Sequence, residues 1–313
     1  MSRQTPTGKQ TLFRTKKKGM GQSRSDNTFD VINTFVMILI FLIVAYPMYF
    51  VLIASISNPE YIHRGLVIFW PRGLNFRGYE RVIQEGPVWN AYRNSIYYTT
   101  LGTSINIAVT VTAGYALSRK DLAGRSIFMV FLLFTMFFHG GMIPTFLLVR
   151  SLGMLNTVWA MVLPNAVSVF NVILCRTFFA SSLPDEMLEA AQADGCGNIR
   201  FFFMFAVPLS KSLVAVMVLF YAVGHWNSFF NALIYLNDNS MFPLQLVLRQ
   251  ILLGALAAAQ DVTGDPTEIM EAMRIAELLR YAVIVVSIIP VMIWYPFVQK
   301  YFVKGVMIGS VKG

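Results

Sequence analysis

The chain has 313 residues, of which 56% are hydrophobic and only 13% charged, and it carries a net charge of +9 at neutral pH. Soluble domains carry about 25% charged residues, so this composition excludes an ordinary soluble globular domain. The basic excess, set beside long apolar segments, points to membrane orientation and attraction to anionic membrane lipid and not to a nucleic-acid partner.

Residues 1–30 form a polar, basic tail with Arg3, Lys9, Arg14, Lys16, Lys17, Lys18 and Arg24, expected to be disordered and cytoplasmic. Residues 31–313 then read as one membrane domain with six apolar segments, 31–56, 96–117, 127–149, 155–178, 214–235 and 278–302. Each approaches the roughly 20 residues that cross a hydrocarbon core. Six crossings return the C-terminus to the cytoplasm and put every Lys and 16 of the 25 basic residues on that side. Pro47, Pro144, Pro164, Pro290 and Pro296 lie in or near these spans, where neighbouring helices can satisfy the freed backbone groups. The first external loop, 57–95, mixes turn formers with Trp70, Tyr79 and Trp89 and suits a small lid at the interface. His139-Gly140-Gly141 and Pro164-Asn165 read as breaks in the third and fourth spans, serving either bending or close packing.

Between the fourth and fifth spans, residues 180–211 are too polar for hydrocarbon. Ser182 reads as an N-cap, with Asp185 completing a capping box, Pro184 in the first turn and Gly195 as a left-handed stop. A second short helix over 199–205 presents Phe201, Phe202, Phe203 and Phe205 before Pro208 ends it. Ala190 and Ala191 permit close approach by a partner, and Glu189 offers it a charge. On these residues alone the segment either docks a protein or rests on the bilayer.

The fifth span carries Gly224, His225, Trp226, Asn227 and Asn231. Polar groups at this depth are costly and usually face a bundle or a cavity. Gly224, Asn227 and Asn231 recur at helical spacing on one face, which reads as lining a translocation path or as helix-to-helix hydrogen bonding. Amides and an indole suit sugar hydroxyls and C–H faces. Residues 244–256 are apolar but short and interrupted by Arg249, which predicts an interfacial or re-entrant helix.

No catalytic or metal constellation is expected. The three His lie in separate regions, no Cys pair has metal spacing, and no phosphate-binding Gly-rich loop exists, so this chain should bind neither metal nor ATP. Cys175 and Cys196 should stay reduced.

Glu189-Ala190-Ala191, then Gly195 after three residues, then Phe205-Ala206-Val207-Pro208 resembles the EAA motif of the membrane subunits of bacterial ATP-binding-cassette importers. That family's pattern ends in Ile-x-Leu-Pro, so Phe205 and Val207 are apolar departures. The similarity runs from the first span to Gly313, and it is greatest to carbohydrate permeases of the MalG type. The resemblance implies an all-α membrane protein of six transmembrane helices in the type I importer (MetI-like) permease fold, with cytoplasmic coupling helices over about 180–211. It further implies a bacterial plasma-membrane permease for an oligosaccharide or related glycan, with both termini cytoplasmic. The implied partners are a second homologous permease in a heterodimer, two cytoplasmic ATPase subunits that hold ATP-Mg, and an extracytoplasmic solute-binding protein. By position, Pro184, Glu189, Ala190, Ala191, Asp194, Gly195 and Pro208 would form the ATPase-coupling element, and Val311, Lys312 and Gly313 would reach between the ATPases. The rival reading is an ion-coupled secondary transporter of small polar solutes, which needs intramembrane carboxylates. The spans lack them apart from terminal positions such as Asp30 and Glu277.

Overall fold

A computed structural model describes residues 24–261 and 266–309. Val311, Lys312 and Gly313 and most of the basic tail therefore lie outside the described residues. Among these, all regular structure is helical. The helices are α1 (Arg24–Ser55), α2 (Pro59–His63), α3 (Arg77–Gln84), α4 (Pro87–Ser118), α5 (Arg125–Phe137), α6 (Met142–Ser151) and α7 (Val158–Val162). They continue as α8 (Val169–Ser182), α9 (Asp185–Ala193), α10 (Asn198–Leu209), α11 (Lys211–Trp226), α12 (Phe229–Tyr235), α13 (Leu244–Asp261) and α14 (Pro266–Gly309). The chain divides by its contacts into a unit ending at Phe50 and a unit beginning at Val51, which contains α2 to α14.

By length and composition, Thr28–Ser55 and Met270–Pro296 can each cross a membrane, and two bent helix pairs raise the number to four among the described residues. Several segments expected as single spans are broken. The third is α5 and α6, meeting at 113°, because Gly141 takes φ +88° and caps the new helix. The fourth is α7 and α8, separated around Pro164, which has no N–H to continue the ladder. The fifth stops at Trp226, resumes at Phe229, and joins α10 at 80° on its other side.

The expected second span is extended by α4, which begins at Pro87, a residue pre-organised for a first helical turn. This helix is the axis of the second unit. Its buried side carries Ser95, Thr99, Gly102, Thr103, Asn106, Thr110, Gly114 and Ser118 at helical spacing, and such small residues let neighbouring helices approach closely. Helix α8 packs there with Cys175 against Gly114, where any Cβ would overlap the Cys175 side chain. Helix α11 packs beside it with His225 against Gly102.

Helix α13 buries Leu244, Leu246, Val247 and Leu248 in a core shared with Val82, Trp226, Leu279 and Ala282. The apolar stretch expected as an interfacial or re-entrant helix is packed against α14 and α4. Ser95 Oγ accepts its first N–H, from Leu244, at 2.8 Å. The loop expected as a lid is anchored to the core by α3, where Val82 is fully buried and Gly78 lies so close to the Leu278 carbonyl that a Cβ would meet it at 2.9 Å, while Trp70 and Trp89 are exposed.

Candidate functional site

The polar segment folds as a capped helix, with its start displaced from the expected one. Ser182 closes α8 and does not cap α9. The residue before a proline avoids helical geometry, so Leu183 is extended at φ −120°. Pro184 then occupies the cap position without a side-chain cap bond, and α9 starts at Asp185. The Asp185 carboxylate reaches across to the end of α4. It lies 2.7 Å from Lys120 Nζ and 3.8 Å from Arg119 Nη1. Their proximity holds the Asp185 carboxyl below its ordinary range, chiefly through the Lys120 hydrogen bond, and pushes Lys120 up in return.

The other end of α9 closes on Gly195 at φ +79°. The Cys196 N–H donates to the Ala191 carbonyl at 2.9 Å and the Gly195 N–H to Gln192 at 2.9 Å, the paired bonds of a Schellman stop. Leu188 is buried, with Met187 and Ala191 packed on the same core. Glu186, Glu189, Ala190, Ala193 and Asp194 are exposed. One face is therefore committed to this chain and the other is presented outward.

Helix α10 is longer than expected. It runs through Pro208 and ends at Leu209, and residues 202–206 form a widened π turn. Pro208 has no N–H for the carbonyl four residues back, and its ring crowds that carbonyl, so a wider turn upstream relieves both problems. Phe201 and Phe202 are buried, Phe202 lying 5.0 Å from the Tyr115 ring between centroids, whereas Phe203 is exposed.

A second region is a cavity of about 400 Å³ that gathers Gly224, His225, Asn227 and Asn231 with Asn106, Asn165, Asn171, Ser168 and Tyr221. Its floor is a hydrogen-bond chain. Asn106 Nδ2 donates to the Asn165 carbonyl at 2.7 Å, which leaves Asn106 Oδ1, 3.0 Å away, to accept from His225 Nε2–H. Thr110 Oγ1 and Tyr221 OH lie 2.6 Å apart, and the Ser168 N–H donates to the same phenol at 3.3 Å. Asn165 and Asn227 are exposed above this floor. No residue lining the cavity is Lys, Arg, Asp or Glu.

The expected continuous face of α11 does not exist, because the helix stops at Trp226 with Asn227 as its C-cap. The break still turns Gly224, Asn227 and Asn231 towards the same cavity. Trp226, expected with them, is a correction: it is buried, and its Nε1–H donates to the Ser287 carbonyl of α14 at 2.9 Å. Burial favours that partner because an unpaired indole N–H would be costly there. Asn106 was missed although its small, polar, helically spaced neighbours on α4 mark a buried face; nothing local signals Asn171.

Helical in all regular structure of the described residues, with helices long and apolar enough to cross a membrane, a broken-helix cavity and a capped polar helix, the chain has the build of a helical membrane protein. No family model matches the chain. It is 37% identical over 295 residues to the protein LplC of Bacillus subtilis (strain 168), covering 94% of this chain and 98% of that protein. It is also 37% identical over 286 residues to the polygalacturonan/rhamnogalacturonan transport system permease protein YtcP of the same organism, covering 91% and 98%. In structure it is similar to a chain from a bacterial ABC transporter involved in the import of the acidic polysaccharide alginate, with a TM-score of 0.76, 34% identity, and coverage of 90% and 98%. The chain belongs to the family of permease subunits of ABC carbohydrate importers. This membership sets aside the ion-coupled secondary transporter.

Proposed function

We propose that the chain is one of two homologous permease subunits in a type I importer for an oligosaccharide or related glycan, a reading supported by its similarity to a polygalacturonan/rhamnogalacturonan permease and to an alginate importer. In this reading six membrane passages leave both termini in the cytoplasm, with residues 1–30 as a basic tail beside anionic lipid and residues 31–313 as the permease domain. Helices α9 and α10 are cytoplasmic and dock on an ATPase subunit that holds ATP-Mg. An extracytoplasmic solute-binding protein delivers the sugar. Val311, Lys312 and Gly313 add contacts to the ATPase pair. ATP-driven closure of the ATPases moves α9, and hydrolysis resets it.

The observation that carries this reading is helix α9 itself, capped by Gly195, with Leu188 buried and Glu189 and Ala190 presented outward. A helix that merely rested on lipid would turn its apolar side outward, and α9 does the reverse. Glu189, Ala190 and Asp194 form the docking side, Ala191, expected with them, is packed on this chain's own core and backs that side, and Pro184, Gly195 and Pro208 shape it. Glu189 pairs with a basic group of the ATPase.

The cavity is the sugar's path through this subunit. Amide groups provide donors and acceptors together, as hydroxyls require, and Gly224 leaves room above the His225 floor. A Glu189→Lys variant tests the coupling role by co-purification of the ATPase and uptake in proteoliposomes. The expected result is a permease that reaches the membrane but loses ATPase association or coupling. Undisturbed coupling would refute the role.

A further inference from the structure

We infer that Arg119 and Lys120 at the end of α4 grip the entrance of α9, making α4 the element that takes up the movement of the coupling helix and delivers it to the polar cavity. The inference rests on the coupling reading above and adds the residues that transmit it.

The grip has two parts of different character. Lys120 is 79% exposed in its side chain and pairs with Asp185 Oδ2, a kind of contact that is weak and screened by salt. Arg119 has a side chain only 8% exposed, and a cation so placed needs partners on every side. It has them on both sides of Pro184. Nη2 donates to the Leu183 carbonyl at 3.4 Å, Nη1 makes no hydrogen bond and has the Asp185 carboxylate as its ion-pair partner at 3.8 Å, and the guanidinium sits 5.3 Å from the Tyr115 ring centroid. Removing Asp185 leaves Nη1 without a counter-charge, so the buried guanidinium favours keeping α9 in place.

From this grip α4 runs without interruption to the cavity floor. On the way it meets α8 at Gly114 and α11 through Thr110 and Tyr221, and it ends this path at the Asn106–His225 bond. Close packing of small residues transmits displacement because neighbours have no room to absorb it. By contrast, the connection from α9 to α11 passes through the bent α10, with its widened turn and the 80° corner at Ser210. A rod and a hinge thus join the same two places, and the rod is α4.

The test uses the whole transporter, expressed with its neighbouring subunits, purified and reconstituted, with Cys196→Ser removing the more accessible thiol and Val167→Cys reporting from the cavity wall. Maleimide labelling of that cysteine is compared with and without Mg-ATP and vanadate, alongside ATP hydrolysis. Asp185→Asn is expected to keep hydrolysis while the nucleotide-dependent change in labelling falls roughly tenfold, the scale of one charged hydrogen bond. Asp185→Glu restores most of it, and Lys120→Ala, on an exposed side chain, gives a smaller loss that high salt reproduces. Full nucleotide dependence in both Asp185→Asn and Lys120→Ala overturns the inference, as does a loss that Asp185→Glu leaves uncorrected. Were the parent transporter itself to show no nucleotide-dependent labelling, the coupling reading would fail, independently of the grip.

Discussion

Helix α9 keeps Glu186, Glu189 and Asp194 exposed and meets α4 through a single carboxylate, while the cavity turns five amides and an imidazole inward without one formal charge. The first arrangement suits a surface that must attract and release a partner, since exposed charges act at a distance and are weak on contact. The second suits passage of a hydroxyl-rich solute, since neutral donors and acceptors hold each group weakly and none binds it as an ion would. Helix α4 belongs to both regions, and the difference between them can be probed along it.

The largest effect is expected where α4 has no slack. Gly114→Ala places a methyl group on Cys175 and within 3.1 Å of the Arg176 backbone nitrogen, so α8 must shift; overpacking of this kind costs about 1–3 kcal/mol. Gly224→Ala, with nothing within 4 Å of its Cβ, should leave stability unchanged or slightly raised. Thermal unfolding of the solubilised complex separates the two, and equal losses would mean that the close α4–α8 contact carries little.

Next in size, Asn106→Leu removes the partner of the Asn165 carbonyl, which water can replace, and strands the buried His225 N–H, a group costing about 1–3 kcal/mol when unpaired. Asn227→Leu and Asn231→Leu are expected to spare stability and assembly but weaken uptake, with the half-saturating sugar concentration rising by roughly tenfold for the loss of a hydrogen-bonding amide. If Asn106→Leu is as stable as wild type, the floor is not a structural bond. If both other variants transport normally, the cavity is packing and not path.

How much of this could be read beforehand differs between the regions for a physical reason. The stop at Gly195 and the exposed Glu189 follow from contacts within a few residues, and local capping rules reach them. The start is displaced because Pro184 keeps Leu183 extended, and the expected capping box does not form because Asp185 bonds to Lys120, 65 positions earlier in the chain, and not to its own helix end. The cavity shows the same limit. Asn227 and Asn231 were visible as costly polar residues in an apolar run, whereas Asn165 and Asn171 acquire meaning only when the break at Pro164 folds them onto α4 and α11. Trp226 was grouped with the path because an indole suits a sugar, whereas its buried partner, the Ser287 carbonyl of α14, lies 61 positions away in the chain. Apolar length alone is an incomplete guide here: the second segment lies on a helix with a small polar stripe, and the fourth and fifth are broken into shorter helices, which lowers the hydropathy of each.

The smallest expected effect is the pH response of the grip on α9. Lys120 holds Asp185 below its ordinary value of 3.8, so what this carboxylate contributes is complete above that value and is lost only as pH falls through the lowered one. Asp185 holds Lys120 above 10.5, so the ammonium's contribution is complete below that value and fades as pH rises through the raised one. Between these limits both partners stay charged. The ratio of nucleotide-dependent labelling in the parent transporter to that in Asp185→Asn should therefore stay flat from about pH 6 to about pH 9. It should fall instead with salt, because the Lys120 part is exposed and a Debye length of about 10 Å at 0.1 M shortens its reach. A ratio that changed through the neutral range and ignored salt would assign the transmission to a titrating group elsewhere, and would separate α9 from α4.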